Sequence, residues 1–161
     1  MKAKNRGSKP RVSSISSRKP VRTSSAGETR ALGRDLASRL RPGDVVFLKG
    51  DLGSGKTTFV QGVASGMGVR GFVRSSSFII ANEYPCGRGT LYHLDLYRLS
   101  AAEAADVGLE EYCGPGSICL VEWAERAAGF SPVPRWEVDF EWLGDESRGI
   151  RLSRIHGRTR T

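Results

Sequence analysis

Cysteine and histidine are scarce in this chain. Three cysteines (Cys86, Cys113, Cys119) and two histidines stand among 161 residues, and no two cysteines form a C-x-x-C pair. That argues against a zinc framework and against a disulfide scaffold, and the cysteines read as reduced thiols of a cytoplasmic protein. No apolar run approaches the ~18 residues of a membrane-spanning helix, so a span of that kind is excluded. The basic N-terminus lacks the apolar core of a secretory signal. Acidic residues are missing altogether from positions 1–23, where eight Lys and Arg lie among Ser and two prolines. Of the 25 Lys and Arg in the chain, the remaining 17 are matched by 17 acidic residues, so the net charge of +8 belongs to this first segment.

So little apolar surface cannot offset chain entropy, and residues 1–23 read as a disordered basic tail. Three roles are open to it: a solubilising extension, an arm for polyanions such as RNA, or a transit peptide. The prolines speak against the amphipathic helix of the last. Residues 24–155 then read as one domain, and 156–161 as a short basic C-terminal tail.

Within the domain, Leu32, Leu36 and Leu40 recur at helical spacing, which predicts a helix over 28–40 closed by Arg41-Pro42-Gly43-Asp44. Val45–Leu48 and Ile118–Val121 are short continuous apolar runs, the mark of strands buried on both faces. Phe59, Val63 and Met67 predict a second helix ended by Gly66 and Gly68. Strands are expected over 77–84, closed by Pro85, and over 90–96. Ser100 and Glu103 form a capping box that starts a helix at Ala101. Trp136, Val138, Phe140 and Trp142 alternate with polar residues, and after the turn at 144–147 so do Ile150 and Leu152. The fold class expected is α/β: a mixed sheet flanked by helices and ending in an antiparallel hairpin.

The strongest motif is Gly50-Asp51-Leu52-Gly53-Ser54-Gly55-Lys56-Thr57. It matches G-x-x-x-x-G-K-[ST], and it follows a buried strand and opens a helix, as anion capture requires. The glycines let successive N–H groups turn inward, and the helix N-terminus adds its unpaired donors and partial positive charge. Lys56 would reach β- and γ-phosphates, Thr57 would ligate Mg²⁺, and Thr58 would bond a phosphate nearer the nucleoside. Asp51, Leu52, Gly53, Ser54 and Gly55 complete the nucleotide-binding set expected of a P-loop NTPase-like fold.

Magnesium needs a carboxylate besides the hydroxyl. Asp95 and Glu122 each close a predicted strand and are the two candidates. Asp51 could touch water or the γ-phosphate from inside the loop. His93, Asp95 and Tyr97 alternate and would share one face of an extended segment. Arg98 as a transition-state finger and Trp123 as a contact are open alternatives to simple packing.

These segments carry a resemblance to the TsaE (YjeE) family. The run Gly50–Phe59 looks like the family's G-D-L-G-A-G-K-T-T-F. Ser75-Ser76-Ser77-Phe78 with Asn82-Glu83-Tyr84 resembles S-P-T-F…N-E-Y. His93–Leu99 is similar to H-x-D-L-Y-R-L, and Val121–Arg126 to I-E-W-P-E-R. The likeness spans about residues 27–152. It implies a bacterial Mg²⁺-dependent ATPase, feeble alone, that works with TsaB and TsaD in making N6-threonylcarbamoyladenosine at position 37 of tRNA. Contact with tRNA would be indirect, through that complex, and no membrane is involved. It further implies that Thr57 and Glu122 hold the metal, that Lys56 and Asp95 are catalytic, that Ser77 lies in a switch-like segment, and that Thr29 lies near the adenine. Ser76 and Ala124 stand where the family has proline, and Ser77 where it has threonine, so the timing of the switch is open.

Three other readings compete. A small-molecule kinase would need an arginine-bearing lid, and none is evident between Cys113 and the last strands. A GTPase would need N-K-x-D, which is absent. A non-catalytic nucleotide-gated module that holds RNA through the basic tail is the third reading.

Overall fold

The computed structural model describes residues 19–71, 73 and 80–157. Residues 1–18 of the expected tail and the switch-like Ser77 lie outside the described residues. Seven strands form one sheet: β1 (Val21–Thr23), β2 (Val45–Lys49), β3 (Ala81–Cys86), β4 (Gly89–Asp95), β5 (Ser117–Glu122), β6 (Arg135–Trp142) and β7 (Arg148–Ile155). Their order is β1-β7-β6-β2-β5-β4-β3. The centre is parallel, with β2 between β5 and β6 and with β4 beside β5. Both margins are antiparallel, through β3–β4 on one side and through β6–β7 and β1–β7 on the other. This is the mixed sheet ending in a hairpin that the residue pattern predicts.

Helices α1 (Ala26–Ala37) and α2 (Lys56–Gly66) cover one face, and α3 (Ala101–Asp106) and α4 (Leu109–Tyr112) the other. Successive strand side chains point to opposite faces, which sorts the apolar runs into two cores. Val46, Leu48, Ile118 and Leu120 join Leu36, Phe59 and Val63. Val45, Phe47, Cys119 and Val121 join Ala104 and Leu109. Continuous apolar sequence is what a strand covered on both sides needs.

The two helices of the first face touch through backbone. A Cβ on Gly62 would sit 2.1 Å from Arg30 O, and one on Gly33 2.3 Å from Phe59 O. Only glycine at both positions permits this approach, and it fixes where α2, and the loop that feeds it, must begin.

Three boundaries differ from the sequence expectations. Val21–Thr23 are not tail: they pair with Arg148–Ile150 as an edge strand. Helix α1 starts at Ala26 because the Ser25 hydroxyl caps Glu28 N at 3.1 Å, and it ends at Ala37. The Arg88 guanidinium then takes up the carbonyls of Ala37 and Leu40 at 2.7 and 3.0 Å. Strand β3 runs through Pro85 to Cys86 instead of stopping before it. It lies at the sheet margin, where a missing N–H costs no ladder bond.

Candidate functional site

The glycine-rich loop 50–55 leaves the C-terminal end of β2 and runs into α2. Gly50 has φ +145°, and a Cβ there would lie 2.7 Å from Phe140 O and 2.9 Å from Ser54 Oγ. Any other residue would push the loop off the end of β6. Ser54 and Lys56 are buried, while Asp51, Leu52 and Gly53 form an exposed rim, Leu52 at 71%. Thr57 and Thr58 are half-buried at the start of α2.

Lys56 Nζ donates to Gly50 O at 2.5 Å, Asp51 O at 2.8 Å and Ser54 Oγ at 3.3 Å. It also lies 4.3 Å from the centre of the Trp123 ring. Burial pulls its pKa below the ordinary lysine value, and the carboxylates of Glu122, Glu125, Asp95 and Asp51 push it back up. The site therefore concentrates one buried cation among four acids.

Sheet register brings the metal candidates together. Ile118, Leu120 and Glu122 share the α2 side of β5, so the run of core residues ends in a carboxylate under the first turn of α2. Glu122 is 3% exposed, and Thr57 Oγ1 donates to its Oε1 and Oε2 at 3.0 and 3.2 Å. Asp95 is the register partner of Glu122 on β4. Its Oδ1 accepts from Tyr97 N at 3.0 Å, which turns the chain off the strand. Tyr97 thus does not share a strand face with His93 and Asp95: β4 ends at Asp95, and the Tyr97 ring stacks 4.9 Å from Trp123. His93 is 1% exposed, and its Nε2 lies 2.9 Å from Glu122 Oε1.

A cleft of about 240 Å³ opens here between the loop and the ends of β4 and β5, lined by Lys56, Thr57, Asp95, Glu122, Trp123 and Arg148 among others. Arg98, exposed beyond Tyr97, is not part of the lining. Trp123 stands at φ +57°, an uncommon conformation for a residue with a side chain and one that clusters at functional sites. Arg126 holds the neighbouring turn by donating to the carbonyls of Tyr97 and Leu99. Thr29 is buried behind the loop, bonded to Thr23 Oγ1 at 2.8 Å, its methyl 3.8 Å from where a Cβ on Gly55 would sit.

Arg148 is the residue that sequence reasoning missed. From the first position of β7 it donates to Gly53 O at 3.1 Å and to the carbonyls of Asp145 and Ser147. No local motif marks it, because its partner in the loop is 95 residues away.

Among the described residues no group of three or more His, Cys, Asp and Glu is set to hold a metal ion. The donor set that is present, one buried carboxylate and one hydroxyl, is hard oxygen, which suits magnesium completed by water and substrate oxygens. Backbone donors at a helix start, an ammonium and such an oxygen pair can together hold a polyphosphate and its divalent cation.

Comparison with known proteins places the chain in a family. The family model described as "Threonylcarbamoyl adenosine biosynthesis protein TsaE" matches residues 23–150. The chain is 41% identical over 137 residues to the tRNA threonylcarbamoyladenosine biosynthesis protein TsaE of Bacillus subtilis, covering 85% of this chain and 86% of that one. It is 48% identical over 100 residues to the protein of that name from Streptomyces coelicolor, covering 60% and 67%. Among solved structures it is similar to the crystal structure of Bacillus subtilis YdiB, with a TM-score of 0.71 and 40% identity over 85% of this chain and 84% of that one.

Proposed function

The chain belongs to the TsaE family of threonylcarbamoyladenosine biosynthesis proteins, and from that premise we propose that it binds Mg²⁺·ATP in the Lys56–Glu122 cleft and hydrolyses it. Hydrolysis acts as a switch in the modification of tRNA, in a complex with TsaB and TsaD. The observation that carries this reading is the meeting of Thr57 with Glu122 at 3.0 Å beside the buried ammonium of Lys56.

Each group then has a task. Amides of residues 51–58 and the start of α2 cradle the phosphates. Lys56 exchanges the loop carbonyls for β- and γ-phosphate oxygens, a short move for a side chain held by hydrogen bonds and by the face of Trp123. Thr57 and Glu122 hold the metal, which when bound neutralises charge on the β- and γ-oxygens. Asp95 orients the attacking water near the γ-phosphate. Trp123 shields the ammonium from solvent, which strengthens its pull on developing charge. Ser77 belongs to the segment that senses which nucleotide is bound.

The test is γ-phosphate release with and without the TsaB–TsaD pair. Release should be slow alone, rise sharply with the pair, and vanish in Lys56→Ala. Equal release in all three, or phosphate appearing on a metabolite instead of in water, would reject the proposal.

A further inference from the structure

We propose that His93 is a positioning residue for the metal-binding carboxylate, a role that rests on the proposed assignment of Glu122 to magnesium. Towards the sheet interior His93 borders an apolar row: Leu91, Ile118 and Leu120, on the same side of the sheet, are all at most 1% exposed. Its register partners are Leu120 on β5 and Asn82 on β3. Burying an imidazole in such a row is unfavourable unless a specific bond compensates. One bond does: Nε2 lies 2.9 Å from Glu122 Oε1, while Nδ1 makes no hydrogen bond among the described residues. All the ring's described hydrogen bonding is therefore directed at this one carboxylate.

The polarity of that bond follows from chemistry. An ionised carboxylate only accepts, so Nε2 carries the proton. The donor pins Oε1 from the sheet side, while Thr57 reaches it from the helix side at 3.0 Å. Oε2 is left with the longer contact of 3.2 Å to Thr57. A glutamate has three side-chain torsions, and a free one would lose that freedom when a cation is captured. His93 removes it beforehand, as outer-shell partners of metal ligands do. Packing alone would be served better by leucine, the residue used at its register partner on β5.

The experiment compares His93→Gln with His93→Asn. Glutamine can set an amide N–H near the position of Nε2; asparagine is one methylene too short. Mn²⁺ serves as the probe, its affinity read by electron paramagnetic resonance in the presence of adenylyl imidodiphosphate. His93→Asn should weaken Mn²⁺ binding by about 10–100-fold. His93→Gln should stay within about threefold of the unmutated protein, and the analogue's affinity in EDTA should not change in either. Unchanged Mn²⁺ affinity in His93→Asn, or equal loss in both variants, overturns the role.

Glu122→Gln separates the two layers of the reading. If it leaves Mn²⁺ affinity intact, the metal site itself is misplaced and the role of His93 falls with it. If it abolishes binding while His93→Asn does not weaken it, only the role of His93 falls. Should the asparagine variant not fold, the unmutated protein decides. ¹⁵N-labelled His93 should carry its proton on Nε2 and shift when Mg²⁺ joins the bound nucleotide; a proton on Nδ1 alone, or no shift, overturns the role.

Discussion

Replacing Gly62 by alanine should destabilise the protein, whereas the same change at Gly27 should stabilise it. Both glycines lie in helices, so intrinsic propensity favours alanine at either, by up to ~1 kcal/mol. The difference is in what the new methyl meets. At Gly27 its nearest neighbour is Ser25 Oγ at 3.7 Å, an ordinary contact. At Gly62 it meets Arg30 O at 2.1 Å and the Arg30 Cα at 2.8 Å, all backbone of α1. No side chain can rotate away, so one helix must move by more than an ångström. Overpacking of that kind costs typically about 1–3 kcal/mol, and rigid backbone puts this case at the upper end. The net expectation for Gly62→Ala is a loss of about 1–2 kcal/mol, a fall in Tm of roughly 2–8 °C for a chain of this size. Gly27→Ala should gain about 0.5 kcal/mol. Helix α2 also carries Lys56 and Thr57, so its displacement should lengthen the Thr57–Glu122 contact and weaken Mg²⁺·nucleotide binding. Paired urea denaturation of the two variants reads the stabilities, and calorimetric titration reads the affinity. A Gly62→Ala protein as stable as the parent, alongside the expected gain at Gly27, would refute the claim that backbone contact sets the helix spacing.

Other expectations follow from charge and burial. Burial pushes the Glu137 carboxyl up, but the hydrogen bond from Arg135 and the charge of Lys49 outweigh it and leave the pKa below the ordinary 4.5. The folded state thus binds this proton less tightly than the unfolded one, so the stabilisation is full above that value and fades as pH falls through the lowered one. Glu137→Gln should cost stability at neutral pH and cost nothing at the acid end of a series of denaturant melts; a pH-independent difference would contradict this. Burial raises the Cys119 thiol well above its usual range, with Cys113 adding to the effect. In the native protein Cys119 should therefore resist a thiol-specific reagent that labels Cys86 and Cys113 first, and labelling of all three at one rate would count against the buried placement.

Local chemistry explains which features were legible in the sequence. The loop 50–57, the cap of α3 and the apolar runs of β2 and β5 are set by neighbours within a few positions, and each is found at its place or within one residue of it. Glu122 could be named because it ends such a run, but its contact with His93 depends on the stagger between β4 and β5, which no local pattern encodes. Arg148 was invisible for the same reason. Pro85 misled because proline forbids a central strand but not a marginal one, and the sequence does not say which strand is marginal. Val21–Thr23 misled because three residues are too few for a period, and their order comes from the edge of β7.

That edge has a consequence for anyone shortening the protein. Without β1, β7 would present a bare row of amide and carbonyl groups along Arg148–Ile150, beside the mouth of the cleft. Such a row recruits whatever extended chain is available, a second copy included. Trimming the basic segment as far as residue 20 should leave a monomer, whereas trimming three residues further should produce concentration-dependent self-association through a newly sticky flank.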